Sequence, residues 1–265
     1  MMGLYVEHLT VGYGKRRILT AVNLSIRPGE IVALLGANGS GKTTLLRTIG
    51  GSISPISGRM MIDDVDLSEL SVRRRASLVT TMSQEFAAET GLTGWDRIEM
   101  SFFPVKGLFD RLTEKERASI GAMADEFGMR TLLDRDLSAM SAGERQMVSL
   151  LAAAVRQTPV LLLDEPASAL DFNRSEEMFA LLHRLAEQGR AILVVLHDPT
   201  QALRHATGIC CVDGDQLRRL DLMALSDGEL EATLQQLYPH LKIHRDPLFC
   251  YADASLRKDI NDADH

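Results

Sequence analysis

The chain has 265 residues, 45% of them hydrophobic and 25% charged, so it can bury a sizeable core and reads as an ordinary globular protein, one large domain or one with a smaller lobe inserted. A formal net charge of −7 and a pI near 5.5 weigh against nucleic acid as a partner, because a phosphate backbone calls for a basic face. No window approaches the roughly eighteen apolar residues that cross a bilayer, and the N-terminal MMGLYVEHL has neither a basic nor an apolar leader region, so the expected location is cytoplasmic.

Leu4, Val6, Val11, Val22, Leu24 and Ile26 alternate with polar residues, which predicts a small antiparallel sheet. The turn Arg27-Pro28-Gly29-Glu30 leads into an apolar run at residues 31–35, a strand of the buried type. Next comes GANGSGKTT: Gly36, Ala37, Asn38, Gly39, Ser40, Gly41, Lys42, Thr43 and Thr44. Leu45, Leu46 and Ile49 follow at helical spacing. Glycines that let the backbone curl turn successive N–H groups inward at a helix N-terminus, whose dipole favours anions. Lys42 adds a point charge for terminal phosphates, and the Thr43 hydroxyl is placed for a magnesium ion bridging phosphate oxygens. The expectation is a cradle for a nucleoside triphosphate.

Farther on, residues 59–62 predict a hairpin and residues 78–82 a buried strand, with Arg73, Arg74 and Arg75 between them read as a solvated face. From about residue 86 to 156 the pattern is mainly helical, after a looser stretch containing Gly91, Gly94 and Pro104. Thr113 and Glu116 form a capping box, and Ser141 with Glu144 forms another, ahead of a helix buried through Met147, Leu151 and Ala154. Strands return at residues 160–163, 191–196 and 209–212. Met178, Leu181, Leu182 and Leu185 mark an amphipathic helix ended by Gly189. Cys210 and Cys211 are adjacent on the last of these strands and Cys250 stands apart, giving neither a metal knuckle nor a disulfide framework. Strand and helix alternation around a phosphate loop implies a mostly parallel sheet. Beyond about residue 252 a frayed polar tail is expected.

The strand at residues 160–163 ends in Asp164 and Glu165, where ligands gather in open α/β sheets. Asp164 suits a magnesium ion through its water shell, and Glu165 suits a general base on an attacking water.

Taken together, the loop, the Asp164-Glu165 strand end, Gln84, Ser168-Ala169-Leu170-Asp171 and His197 resemble, in order and spacing, the ATP-binding subunit of ABC transporters. The family's LSGGQ signature corresponds to Met140-Ser141-Ala142-Gly143-Glu144, which departs at three positions; Ala142 is the departure expected to weaken closure. The resemblance implies a P-loop α/β core with an N-terminal antiparallel β subdomain and an inserted α-helical subdomain. The core would span residues 1–85 and 157–220, the helical subdomain about 86–156, and a C-terminal helical extension 221–250, with a flexible tail at 252–265. It further implies ATP and Mg²⁺ as ligands. Tyr13 would stack on adenine, Gln84 would sense magnesium and the attacking water, and His197 would hold the γ-phosphate. Ser141, Ala142, Gly143 and Glu144 would meet the ATP of a second copy, and Asp171 would reach across to that copy. Partners implied are a second ATP-binding subunit, a transmembrane permease docked near Gln84 and residues 85–105, with Phe86, Leu92, Trp95, Phe102 and Phe103 as either apolar contacts there or part of the core, and, indirectly, an extracytoplasmic substrate-binding protein. Residues 66–84, 103–109, 196–202 and 230–238 look like the importer class for ferric siderophores, haem and cobalamin. A soluble ABC-type ATPase in an assembly role and an export subunit stand as alternatives.

Overall fold

Leu4, Val6, Leu9 and Val11 bury one side of β1 (Leu4–Tyr13), and β2 (Arg16–Ile26) pairs with it antiparallel, bringing Leu4 opposite Ile26 and Tyr13 opposite Arg16. In this computed structural model, which describes residues 2–83, 91–107, 110–220, 225–239, 241–245 and 250–253, the chain then enters β3 (Ile31–Gly36), buried along its whole length. α1 (Lys42–Gly50) follows the glycine-rich turn, β4 (Ser57–Ile62) and β5 (Val65–Asp66) complete the antiparallel sheet, and α2 (Val72–Ala76) leads to β6 (Val79–Met82). The helical stretch comprises α3 (Gly94–Ser101), α4 (Phe103–Lys106), α5 (Glu114–Glu126) and α6 (Ala142–Ala154). After it run β7 (Val160–Asp164), α7 (Phe172–Glu187), β8 (Ala191–Val195), α8 (Pro199–His205), β9 (Gly208–Asp213) and β10 (Gln216–Leu220). α9 (Asp227–Gln235), β11 (Lys242–Arg245) and β12 (Cys250–Asp253) close the described chain.

The second sheet has the order β10-β9-β3-β8-β7-β6, parallel except for the edge strand β10. Its central strands are apolar on both faces because both are covered. Ile31, Ala33 and Leu35 of β3 face the layer that holds α6 and α7, whereas Val32 and Leu34 face α1 and the antiparallel sheet. Residues of β7 and β8 divide the same way. Parallel pairing brings Leu34 level with Val195 and Asp164 level with Val195, so the ends of β3, β7 and β8 lie along one sheet edge. That edge, where strand order reverses around β3, is the ligand-binding crevice of open α/β sheets.

Both predicted capping boxes form. Thr113 accepts from the Glu116 N–H (3.3 Å) while the Glu116 carboxylate takes the Thr113 N–H (2.8 Å), and Ser141 and Glu144 do the same. The apolar face of the helical stretch, including Ile98, Ile120 and Leu133, belongs to the same continuous core as the α6 side of the sheet. Residues 221–250 differ from the helical extension expected: α9 is its one described helix, followed by β11, which pairs antiparallel with β12. β12 runs to Asp253, past the expected start of fraying. Strands of four residues leave too little alternation to read, and Leu230 and Leu234 anchor the segment with no exposed surface. The rest of the expected tail, residues 254–265, lies outside the described residues.

Candidate functional site

Between β3 and α1 the chain turns on Gly41, whose φ of 103° is left-handed and where a Cβ would stand 2.5 Å from Ile18 Cγ2. Gly41 is the N-cap of α1 and no side chain caps it. The first-turn N–H groups are therefore left for an external acceptor, at the positive end of the helix dipole. Lys42, 5% exposed, donates to the carbonyl oxygens of Gly36 (2.7 Å) and Ala37 (2.9 Å). Burial pulls the pKa of its ammonium down, opposed by the charges of Glu165 and Asp164. The β1–β2 hairpin packs on the loop through Ile18 and Leu19 and carries Tyr13, 51% exposed, near its tip.

Asp164 ends β7 and is almost fully buried. Burial raises the pKa of its carboxyl and the neighbouring Glu165 raises it further, while a hydrogen bond from the Thr43 hydroxyl and the charges of Arg47 and Lys42 pull it down. Its Oδ1 has no hydrogen-bond partner. A buried carboxylate oxygen left unpaired beside a hydroxyl is a hard-oxygen donor set of the kind magnesium takes when its other ligands are phosphate and water. Among the described residues no group of three His, Cys, Asp or Glu side chains forms a protein-only metal cage. These residues fit a magnesium ion that arrives with a phosphate ligand.

Glu165 adopts φ 52°, a left-handed conformation unusual for a side-chain-bearing residue. Its carbonyl oxygen accepts from the Ser168 N–H (3.2 Å), the Ser168 hydroxyl (3.0 Å) and the Gln146 carboxamide (3.3 Å). Its carboxylate meets His197 Nε2 at 2.5 Å. His197 lies just beyond β8, and Asp198 then caps α8 by accepting from the Thr200 N–H, with Pro199 as first helical residue. The carboxylate and imidazole thus converge where β7 and β8 end.

Ser141 caps α6, and Glu144 is held by the Ser141 N–H (2.8 Å) and by Arg135 (2.6 Å). Those two contacts, the backbone one first, keep the Glu144 carboxyl below its ordinary range. Ala142 sits in the first helical turn with an ordinary negative φ. Gly143 has a close neighbour, since a Cβ there would lie 3.0 Å from the Ala169 carbonyl oxygen. Asp171 accepts from the Arg174 N–H (2.9 Å) and caps α7. Lys42, Thr43, Asp164, Glu165 and His197 thus form one connected set, and Ser141 to Glu144 start a separate helix beside the turn that follows Glu165. Gln84 and Phe86 lie outside the described residues.

A groove of 490 Å³ runs between the sheet and the helical stretch, lined by Val72, Arg75, Met100, Pro104 and Arg156 among others. Of the apolar residues read as either docking contacts or core, three pack on the core. Leu92, Trp95 and Phe102 are half-buried against the core, Trp95 beneath the Arg117 guanidinium (4.9 Å) and Phe102 beneath that of Arg156 (5.5 Å), and Phe103 does not line the groove. Their stacking on arginine was invisible in the sequence. The exposed apolar rim is Val72 (80%) and Met100 (37%). Gln146 was also unread as a site residue; its signal is an amide within a run of residues, 146–154, that is otherwise almost wholly apolar and is buried throughout.

The sequence profile of the ABC transporter family matches residues 19–168. The iron(3+)-hydroxamate import ATP-binding protein of Bacillus subtilis is 36% identical over 205 residues, 77% of this chain and 76% of that protein. Among solved structures, an inward-facing transporter described as of the metal-chelate ABC type superposes with a TM-score of 0.77 over 95% of this chain and 96% of that one; at 22% identity this likeness shows the fold. A dimeric ATP-binding cassette in a post-hydrolysis state, bound to ADP and phosphate, gives 0.72 at 25% identity over 84% of this chain and 100% of that one. The chain belongs to the ABC transporter family as an ATP-binding cassette. It is an ATPase with the P-loop fold, a mostly parallel sheet and an N-terminal antiparallel sheet.

Proposed function

We propose that the chain is the ATP-hydrolysing subunit of an importer for a metal chelate of siderophore, haem or cobalamin type, acting as a pair of copies beneath a separate permease on the cytoplasmic face of the membrane. One observation carries the catalytic part: the uncapped start of α1, Lys42, the Thr43–Asp164 pair and the Glu165–His197 pair all meet at one sheet edge. In this reading the phosphates sit on the N–H groups of residues 37–44, and Lys42 exchanges its loop carbonyls for phosphate oxygens. Thr43 and Asp164, with Gln84, would hold magnesium, which when bound neutralises charge on the phosphate oxygens. Glu165 accepts a proton from the attacking water as that oxygen bonds to the γ-phosphorus and the bond to the ADP oxygen breaks. His197, anchored on Glu165, donates to the γ-phosphate, and Tyr13 offers an exposed ring to adenine.

Ser141 and the N–H groups of Gly143 and Glu144 complete the site from a second copy, with Asp171 at the seam. The dimeric cassette relative supports that arrangement. The likeness to a hydroxamate import protein supports import of a metal chelate, and the groove rimmed by Val72 and Met100 offers the permease a seat. Among the described residues no helix is long and apolar enough to cross a membrane, which fits a separate permease subunit, with an extracytoplasmic binding protein delivering cargo. Affinity purification of tagged chain from detergent-solubilised membranes tests the transport reading. Recovery with an integral-membrane permease supports it, and recovery with a soluble assembly scaffold alone removes it.

A further inference from the structure

Gln146 joins the first turns of α6 to the turn that follows β7. It is the fifth residue of α6, 7% exposed, and its Nε2 donates to the carbonyl oxygens of Glu165 (3.3 Å) and Pro166 (3.1 Å). These carbonyls belong to the turn in which Glu165 is left-handed, a conformation that persists where surrounding contacts over-determine it. Ser168 supplies two contacts to the Glu165 carbonyl from within the turn, and Gln146 supplies another from α6. The first turn of α6 also packs tightly against that segment, because a Cβ on Gly143 would lie 3.0 Å from the Ala169 oxygen. The start of α6 and the Glu165–Pro166 backbone are therefore tied by two hydrogen bonds and by close packing.

We propose that Gln146 is a positioning residue that carries the state of one ATP site to the other. The inference rests on the two-copy reading above: α6 of a given chain presents Ser141 to the ATP of its partner, whereas Glu165 acts on the ATP held by its own loop. When α6 is drawn onto the partner's γ-phosphate, the two Gln146 hydrogen bonds pull the Glu165 backbone with it. That brings the carboxylate, already paired with His197, onto the attacking water. Hydrolysis at one site then depends on occupancy of the other through a link lying within a single chain.

The test compares Gln146→Met, which keeps the volume and removes the donor, with Gln146→Glu, which donates only when protonated. Steady-state ATP hydrolysis by the full chain is followed against ATP concentration and pH. For Gln146→Met the expected result is a kcat lower by about tenfold, the worth of a hydrogen bond or two, with KM nearly unchanged and the Hill coefficient falling toward one. Gln146→Glu should regain kcat relative to wild type as the pH is lowered, which a purely structural defect would not do. ATP-driven dimerisation of Glu165→Gln, with and without Gln146→Met, is measured beside it. If Glu165→Gln forms no ATP-dependent dimer, the two-copy reading fails and the coupling fails with it. If that dimer forms but Gln146→Met leaves kcat and the Hill coefficient at wild-type values, the inference alone is overturned.

Discussion

Replacing Glu165 with Gln removes the base and leaves its setting almost untouched. The amide has the same shape, the carbonyl keeps its donors from Ser168 and Gln146, and the side chain can still bond to His197. Because the His197 side chain is 46% exposed, the lost charge in that pair is worth at most about 1 kcal/mol. In a chain of this size that shifts the melting temperature by about 2–4 °C at most. Loss of a positioned general base lowers turnover by about 10²–10⁴-fold, or about 3–5.5 kcal/mol of barrier. The expected result is a protein that melts nearly like wild type, binds Mg-ATP and dimerises in its presence, yet hydrolyses at least about a hundredfold more slowly. Phosphate release, thermal melts and size-exclusion chromatography with Mg-ATP measure the three properties. Turnover within about threefold of wild type would refute the role of Glu165 as base. A melting point lowered far beyond the expected range would show that its part is structural.

Leu234→Ala tests whether α9 is part of the core: Leu234 has no exposed surface, so truncation should cost about 2–5 kcal/mol in urea unfolding, and a loss below about 1 kcal/mol would mean a weakly attached segment. Glu116 is held by Lys106 and the Thr113 N–H, which depress its pKa from 4.5 to about 2. The stability from this pair and cap is full above pH 4.5 and is lost as the pH falls toward 2. Glu116→Gln should therefore be less stable than wild type at pH 7 by no more than about 1 kcal/mol, given its partial exposure, with a gap that narrows toward pH 3. A gap that widened on acidification would contradict that sign.

The buried runs of β3, β7 and β8, and the Ser/Thr-x-x-Glu boxes before α5 and α6, were legible because local pattern and tertiary role agree there. The start of α8 carried a readable signal too, Asp198 followed by Pro199, although the pair also fits a plain turn. Other features depend on contacts made by distant segments. Nothing in the residues around Glu165 announces φ 52°, since the donors that sustain it include Gln146 on another helix. Whether Trp95 and Phe102 were docking contacts or core stayed open in the sequence because their arginine partners, Arg117 and Arg156, are remote in it. The short strands β11 and β12 are held by pairing with each other and by the burial of α9, neither of which leaves a periodic trace.

Isothermal titration of Mg-ATP into wild type and Lys42→Ala tests the central claim, that residues 36–44 grip the triphosphate, most directly. Lys42→Ala also removes the donor to the Gly36 and Ala37 carbonyls, so thermal melts of both proteins check that the variant is folded before its affinity is compared. The predicted result is clear binding by wild type and affinity weaker by at least about tenfold, about 1.4 kcal/mol, in the variant. No heat of association with wild type, or equal affinity for both proteins, would contradict the account.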